Sequence, residues 1–121
     1  WRVSGTVYDL ATLQPVPGAR VVFSRDDRSP VPTTTGPNGR YETDLIKHAG
    51  WSVSVNAENH RQGHIVDIDP PYRTRDADAR RAAVEQLADD DLLSSPVRWS
   101  RKRSFVTLDL IVVPNRWTDT P

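Results

Sequence analysis

Cysteine and methionine are both absent from this 121-residue sequence. Without cysteine the chain can form no disulfide, no thiolate nucleophile and no sulfur-based zinc site. It also has no run of about 18 apolar residues, so it offers no candidate for a membrane-spanning helix. Because the chain lacks even an initiator methionine and opens in a strand-like pattern, we expect it to be a piece of a longer protein whose targeting signals lie elsewhere.

An excess of charge of either sign is absent as well. The 16 basic residues balance 16 acidic ones, and Lys47 and Lys102 are the only lysines. Proteins that bind duplex nucleic acid usually carry a net basic footprint, so the balance argues against such a partner. The bias towards arginine is typical of a GC-rich bacterial source. Ten prolines and six glycines indicate many short elements joined by turns.

Apolar and polar side chains alternate along much of the chain, which is the pattern of half-buried strands. The alternation is clearest after the turn at 36–39, and the run from Trp51 to Ala57 is strong evidence for a half-buried strand. Similar patterns predict strands within residues 2–9, 19–24, 40–45, 64–69 and 104–113, and the segment RDDRSPVP (25–32) is predicted to be a polar loop. Strands at this spacing predict a single all-β domain over residues 1–121, an antiparallel sandwich of about seven strands.

Residues 70–103 interrupt the strand rhythm and are predicted to be an insertion. Ala, Arg, Glu and Leu predominate from Asp76 to about residue 90, which favours one surface helix with Asp76 or Thr74 as its N-cap. Asp89, Asp90 and Asp91 make the end of this helix acidic, and Arg98–Arg103 is basic. The two arms are therefore expected to be able to pair with each other, although exposed pairs stabilise a fold by only about 0 to 1 kcal/mol each.

Four stretches of the sequence carry a family resemblance. SGTVYDLATLQPVPGARVVFS is followed by TTTGPNGRYETDL, GWSVSVNAENHR and FVTLDLIVVP. In this order they resemble the carboxypeptidase regulatory-like domain, with Asn38-Gly39 matching the turn into one of the family's strands. The sequence departs from the family pattern in two places: Gly36 stands where the family has Asp, and Asn59-His60 replace a Gly-Tyr pair. The resemblance implies a transthyretin-like, Greek-key β-sandwich. Such domains are typically non-catalytic accessories of secreted or cell-envelope proteins, so an enzyme is not expected.

Transthyretin-like sandwiches also include enzymes, and these supply the alternatives to an accessory domain. Hydroxyisourate hydrolases resemble the first hairpin, but their activity depends on histidines, an arginine and a C-terminal Tyr-Arg-Gly-Ser. This chain ends in PNRWTDTP and has no histidine on its first strand. Intradiol dioxygenases need two Tyr and two His around iron, and the spacing of such residues here does not match. The sequence therefore predicts no catalytic residue and no cofactor.

Two sets of residues are candidate metal ligands. His60 and His64, with Glu58 nearby, can share a metal if their segment is helical. Asn59 and Gly63 indicate a loop instead, so two solvated histidines are expected. The run Asp89–Asp91 lacks the alternating oxygens and the glycine of a calcium loop, and a solvated helix end is expected there.

The inserted segment is the predicted working surface, because loops carry function when the scaffold is generic. A protein partner or a neighbouring domain is expected to contact it, in a bacterial periplasmic, envelope or secreted setting. The candidate residues are Arg80, Arg81, Asp89, Asp90, Asp91, Arg98, Trp99, Arg101, Lys102 and Arg103. The alternatives are a purely structural spacer and a carbohydrate-binding surface on which Trp99 stacks with Trp1 or Trp117. The competing expectation is that these tryptophans cap the ends of the sandwich, and Trp51 is expected in the core.

Overall fold

The alternating segments of the sequence become strands in the computed structural model, which describes residues 1–67, 74–85 and 94–115. Nine strands and one helix lie in these ranges. Their bounds are β1 Arg2–Asp9, β2 Arg20–Arg25, β3 Arg28–Thr34, β4 Arg40–Asp44, β5 Ser52–Asn56, β6 Ile65–Val66, α1 Ala77–Glu85, β7 Ser95–Pro96, β8 Phe105–Thr107 and β9 Leu110–Val112. Among the described residues no helix is long and apolar enough to cross a bilayer.

Two sheets enclose the core. One has the order β4-β1-β9-β6, with β8 also paired to β1, and the other has the order β3-β2-β5-β7. Every second side chain of the central strands points between the sheets, as the period of two requires. The fully or almost fully buried set includes Val3, Val7, Val21, Phe23, Val53, Val55, Leu110 and Val112. The prediction of an all-β sandwich is therefore confirmed.

The prediction that residues 25–32 form a polar loop is wrong. Only Asp26 and Asp27 form the turn, and Arg28–Thr34 returns as β3, antiparallel to β2. Two prolines and several charges weakened the strand signal there. They are tolerated because β3 lies at the edge of its sheet, where a missing backbone N–H interrupts no central ladder.

The last predicted strand, residues 104–113, is divided into β8 and β9. Both segments pair with β1, and they do so in parallel, which differs from the predicted all-antiparallel arrangement. Leu108 and Asp109 separate them. The Asp109 carboxylate accepts the Thr6 N–H at 2.9 Å and so replaces one bond of the interrupted ladder. A Cβ on Gly5 would overlap the backbone carbonyl of Leu108, so this close approach requires glycine.

The turn at residues 36–39 connects β3 of the second sheet to β4 of the first sheet. Gly39 has a φ of +74°, and the Asn38 side chain accepts the Arg40 N–H at 3.1 Å. The Gly39 carbonyl accepts the Val7 N–H at 2.9 Å. A Cβ on residue 39 would meet Pro15 at 2.5 Å, so the turn packs directly on the loop after β1. The pair Asn38-Gly39 therefore sets both a local turn and a contact between distant segments.

The helix α1 begins as the sequence predicts. The Asp76 carboxylate accepts the Ala79 N–H at 2.8 Å, which is the expected N-cap bond. The predicted helix end at residues 86–90 and the end of the predicted strand at 68–69 lie outside the described residues.

Candidate functional site

A groove lies at one end of the sandwich, between the β4–β5 connection and the residues that follow β7. The residues that follow β7 form one wall of the groove, and the pairing of β7 with β5 positions them. The Val97 N–H continues this pairing by donating to the Trp51 carbonyl at 3.0 Å. The cavity has a volume of about 510 Å³. Its lining residues come from three separate parts of the chain: Trp1, His48, Ala49, Gly50, Trp51, Ser52, Pro96, Val97, Arg98, Trp99 and Arg101.

Aromatic rings form the apolar wall of the groove. Trp1 and Trp99 meet edge to face, with ring centroids 5.3 Å apart and an interplanar angle of 77°. Trp99 also contacts Phe23 in the core, and the Trp1 indole N–H donates to the Ser100 carbonyl at 3.1 Å. Both rings are half-buried and pack against the core, as expected of residues that cap the sandwich. Perpendicular rings do not make the flat stacking platform of the carbohydrate hypothesis.

Trp51 forms the floor of the groove and is only 3% exposed, which confirms its predicted place in the core. Its indole N–H donates to the Ile46 carbonyl at 3.1 Å. The Arg25 guanidinium lies 5.7 Å from the centroid of the Trp51 ring and donates to the Ala49 carbonyl at 2.5 Å. These contacts fix the β4–β5 connection against the tryptophan, so the floor and one wall of the groove are held together.

Cationic side chains stand at the rim. Arg98 and Arg101 are exposed and line the cavity, and the Lys47 ammonium donates to the Arg101 carbonyl at 3.0 Å. Within the described ranges, neither arginine has an ion pair and no acidic side chain lines the groove. Asp27 pairs with Arg25 at 2.9 Å, and the hydrogen bond from Arg25 lowers the pKa of the Asp27 carboxyl. The groove therefore combines apolar walls with a positive rim.

The structure separates the predicted surface residues into several groups. Arg98, Trp99 and Arg101 come together at the groove, and Lys102 and Arg103 are exposed just beyond it. Arg81 is half-buried on α1. Asp89, Asp90, Asp91 and Trp117 lie outside the described residues, so the pairing of the two charged arms stays a prediction.

Arg80 requires a correction, because it is 6% exposed and is not a surface contact. Its guanidinium donates to the backbone carbonyls of Leu10 and Ala11, and its Nε donates to the Arg75 carbonyl at 3.1 Å. These bonds dock α1 on the loop after β1. The helical spacing showed only that Arg80 lies on one face of α1, and nothing in the sequence indicated which carbonyls it would meet.

The expectation that His60 and His64 are both solvated is also wrong. The His60 side chain is 11% exposed, and its Nε2 lies 2.7 Å from an Asp9 carboxylate oxygen. Its Nδ1 lies 2.7 Å from the Glu58 carbonyl. An oxygen therefore lies at hydrogen-bond distance from each ring nitrogen of His60. Although a cavity of about 560 Å³ borders Asp9 and His60, neither ring nitrogen of His60 is left for a metal or a substrate.

His64 is fully buried, and within the described residues neither of its ring nitrogens has a hydrogen-bond partner. Burial lowers its pKa from 6.5 to about 4 because a charged imidazolium is disfavoured away from water. No group of three potential metal ligands occurs in the part of the chain that the structure describes. The predicted strand at 64–69 begins at His64, but Asn59 and Gly63 indicated a loop and so favoured a solvated ring.

A family model for the carboxypeptidase regulatory-like domain matches residues 2–80. The chain belongs to this family. The match extends from β1 into α1, so β7 and the groove residues that follow it lie beyond the matched region. As a member of this family, the chain is an accessory β-sandwich domain.

A solved structure has the same fold. The structure of Klebsiella pneumoniae 5-hydroxyisourate hydrolase is similar with a TM-score of 0.51 and 16% identity, covering 98% of this chain and 95% of that chain. At this identity the likeness shows the fold alone, which is the transthyretin-like sandwich that the sequence predicted. A search of curated proteins found no match to this chain.

Proposed function

We propose that this domain is a non-catalytic interaction module of a larger bacterial envelope or secreted protein, and that it binds a protein partner through the 70–103 segment. The observation that carries the proposal is the groove. Residues of this segment, Pro96 to Arg101, form one wall of a cavity of about 510 Å³ that has apolar walls and a positive rim. Rigid aromatic walls with arginines at the rim are the composition found at binding hot spots.

A non-catalytic role is supported by the chemistry of the titratable groups. β1 carries no histidine, and both ring nitrogens of His60 are engaged by oxygens. His64 is buried away from the cavities described above. A general base needs a nitrogen that can reach a substrate proton, and neither His60 nor His64 offers one. The exposed His48 lines the groove, but among the described residues no carboxylate lies there to orient it. The similarity to a hydrolase is a similarity of fold, which does not carry activity with it.

Partner binding can be tested by reversing the charge at the rim. The test variant carries Glu at Arg98, Arg101, Lys102 and Arg103, and the control carries Glu at the exposed Arg20, Arg28, Arg40 and Arg61. Both have the same net charge. The immobilised domain and its variants are incubated with an envelope extract of the source organism, captured proteins are identified by mass spectrometry, and the purified partner is titrated by biolayer interferometry.

We expect the rim variant to lose capture of a partner that the wild type and the control variant retain, while all three show the same circular-dichroism spectrum. Equal capture by the two charge-reversed variants would show that the segment is not the binding surface. If none of the proteins captures a specific partner, the domain is better described as a structural spacer.

A further inference from the structure

We infer that the groove accepts an aromatic or branched apolar side chain that stands directly beside a carboxylate in the partner polypeptide. This inference rests on the proposed function and names the chemistry that the same site recognises. It follows from three properties of the groove: the composition of its walls, a rim charge that no acidic side chain among the described residues matches, and its rigidity.

The walls select an apolar side chain. Trp1, Trp51, Pro96, Val97 and Trp99 supply rings and aliphatic carbons around the cavity. Its volume of about 510 Å³ lies within the range of roughly 300 to 1,000 Å³ typical of small-ligand pockets, so a single large side chain fits. The indole N–H groups of Trp1 and Trp51 already donate to backbone carbonyls, so these two donors are not offered to a polar ligand. An apolar or aromatic group is therefore the best match.

The rim selects a carboxylate. Arg98 and Arg101 flank the cavity, and within the described residues no acidic side chain neutralises them. Two acidic side chains of the described residues are paired with other arginines: Asp27 with Arg25, and Asp44 with Arg2. A guanidinium is suited to bind a carboxylate through two parallel hydrogen bonds. A ligand that places its carboxylate at the rim would supply the missing negative charge.

The groove is held in its open shape before a ligand arrives. The Val97 N–H bonds to Trp51, the Trp1 indole bonds to the Ser100 carbonyl, and Lys47 bonds to the Arg101 carbonyl. These three contacts tie the residues after β7 to the opposite wall. A site that needs little ordering on binding loses less free energy to conformational entropy. Short linear segments, which must themselves be ordered, can then bind measurably.

The test uses two short peptides that differ only in charge. One is acetyl-Ser-Phe-Asp-Ser-amide and the other has Asn in place of Asp. Binding is followed by ¹H–¹⁵N NMR through the indole N–H signals of Trp51 and Trp99. We expect the Asp peptide to shift these signals with a dissociation constant roughly fivefold lower than that of the Asn peptide, which is the effect of a partly exposed charge-assisted hydrogen bond. The difference should shrink as salt is added.

Three variants make the test specific. Replacing both Arg98 and Arg101 by Ala should abolish the preference for Asp, whereas replacing the exposed Arg20 and Arg40 by Ala should leave it unchanged. Replacing the exposed Ala49 by Phe fills the groove without removing a core contact, and it should abolish binding of both peptides. Equal affinity for the two peptides in the wild type, or a preference that survives loss of both rim arginines, would overturn the inference.

Binding of a neutral oligosaccharide such as chitotriose at the same indole signals, with no response to the Asp peptide, would also overturn it in favour of a carbohydrate site. The inference and the proposed function fail separately. If the rim variant loses capture of a protein partner while neither peptide binds, the partner surface stands and only its chemistry has been assigned wrongly.

Discussion

The Tyr41 hydroxyl donates a hydrogen bond of 2.5 Å to the Leu108 carbonyl, across the backbone of Gly5. The three residues belong to β4, to the β8–β9 junction and to β1, which lies between them. Burial raises the pKa of the Tyr41 phenol, and the nearby Asp109 carboxylate raises it further, so the hydroxyl remains a donor. The bond satisfies a carbonyl at the point where β8 and β9 interrupt their pairing with β1.

We therefore predict that Tyr41→Phe destabilises the domain by about 1 to 2 kcal/mol, because a buried carbonyl loses its donor. Urea denaturation followed by circular dichroism measures the loss. Removing the hydroxyl of the exposed Thr34 by Thr34→Val serves as the control and should change stability by less than about 0.5 kcal/mol. A Tyr41→Phe variant as stable as the control would show that the bond contributes nothing measurable.

Gly5→Ala should destabilise the domain by about 3 kcal/mol or more, or prevent folding, because the new methyl group would collide with the backbone of Leu108. That backbone cannot move aside unless β8 and β9 lose their pairing with β1. Gly36→Ala is the matched control, since the new methyl group would meet no atom closer than 3.6 Å. Thermal unfolding distinguishes the two. Similar melting temperatures for both variants would mean that the β1–Leu108 approach is looser than described.

Arg80→Met is expected to reduce the free energy of unfolding by about 1 to 3 kcal/mol, since the carbonyls of Leu10, Ala11 and Arg75 lose their donor. Amide hydrogen exchange of α1 should accelerate at the same time, because this side chain docks the helix on the loop after β1. Arg20→Met, at an exposed position, is the control. Unchanged exchange in α1 would show that other contacts hold the helix.

Acid should weaken the fold through His64. Its pKa is about 4 when folded and about 6.5 when unfolded, so the unfolded chain binds more protons between these values. Above pH 6.5 the neutral His64 makes its full contribution to the free energy of unfolding. As the pH falls towards 4 this contribution is lost, which lowers the free energy of unfolding by up to about 3 kcal/mol. Urea denaturation across this range should show a flatter pH dependence for His64→Leu than for the wild type, while His48→Gln, at an exposed histidine, keeps the wild-type slope.

If His64→Leu shows the same loss of stability as the wild type between pH 6.5 and 4, then other groups cause the acid sensitivity. At pH 7 the variant is expected to be at least as stable as the wild type. Replacing a buried polar group that lacks partners by an apolar group of similar size removes a cost without removing a bond.

Local chemistry made much of the fold predictable. The alternation from Trp51 to Ala57 identified β5, and Asn38-Gly39 identified the turn before β4, because side-chain period and tolerance of positive φ are properties of neighbouring residues. Asp76 likewise marked the start of α1. The order of these signals was enough for the family resemblance. The same reasoning missed β3, where Pro30 and Pro32 hid an edge strand whose existence depends on pairing with β2.

The sequence by itself determined most of the strand pattern, the turn before β4 and the membership of the family, since these depend on residues close together in the chain. Only the tertiary structure decided what distant residues do. It paired β8 and β9 in parallel with β1, buried Arg80 and His64, placed His60 against Asp9, and brought Trp1, Trp51 and Trp99 to one groove. The physical reason is that burial, carbonyl partners and cavities arise from contacts between segments far apart in sequence, and side-chain periodicity carries no information about which segments meet.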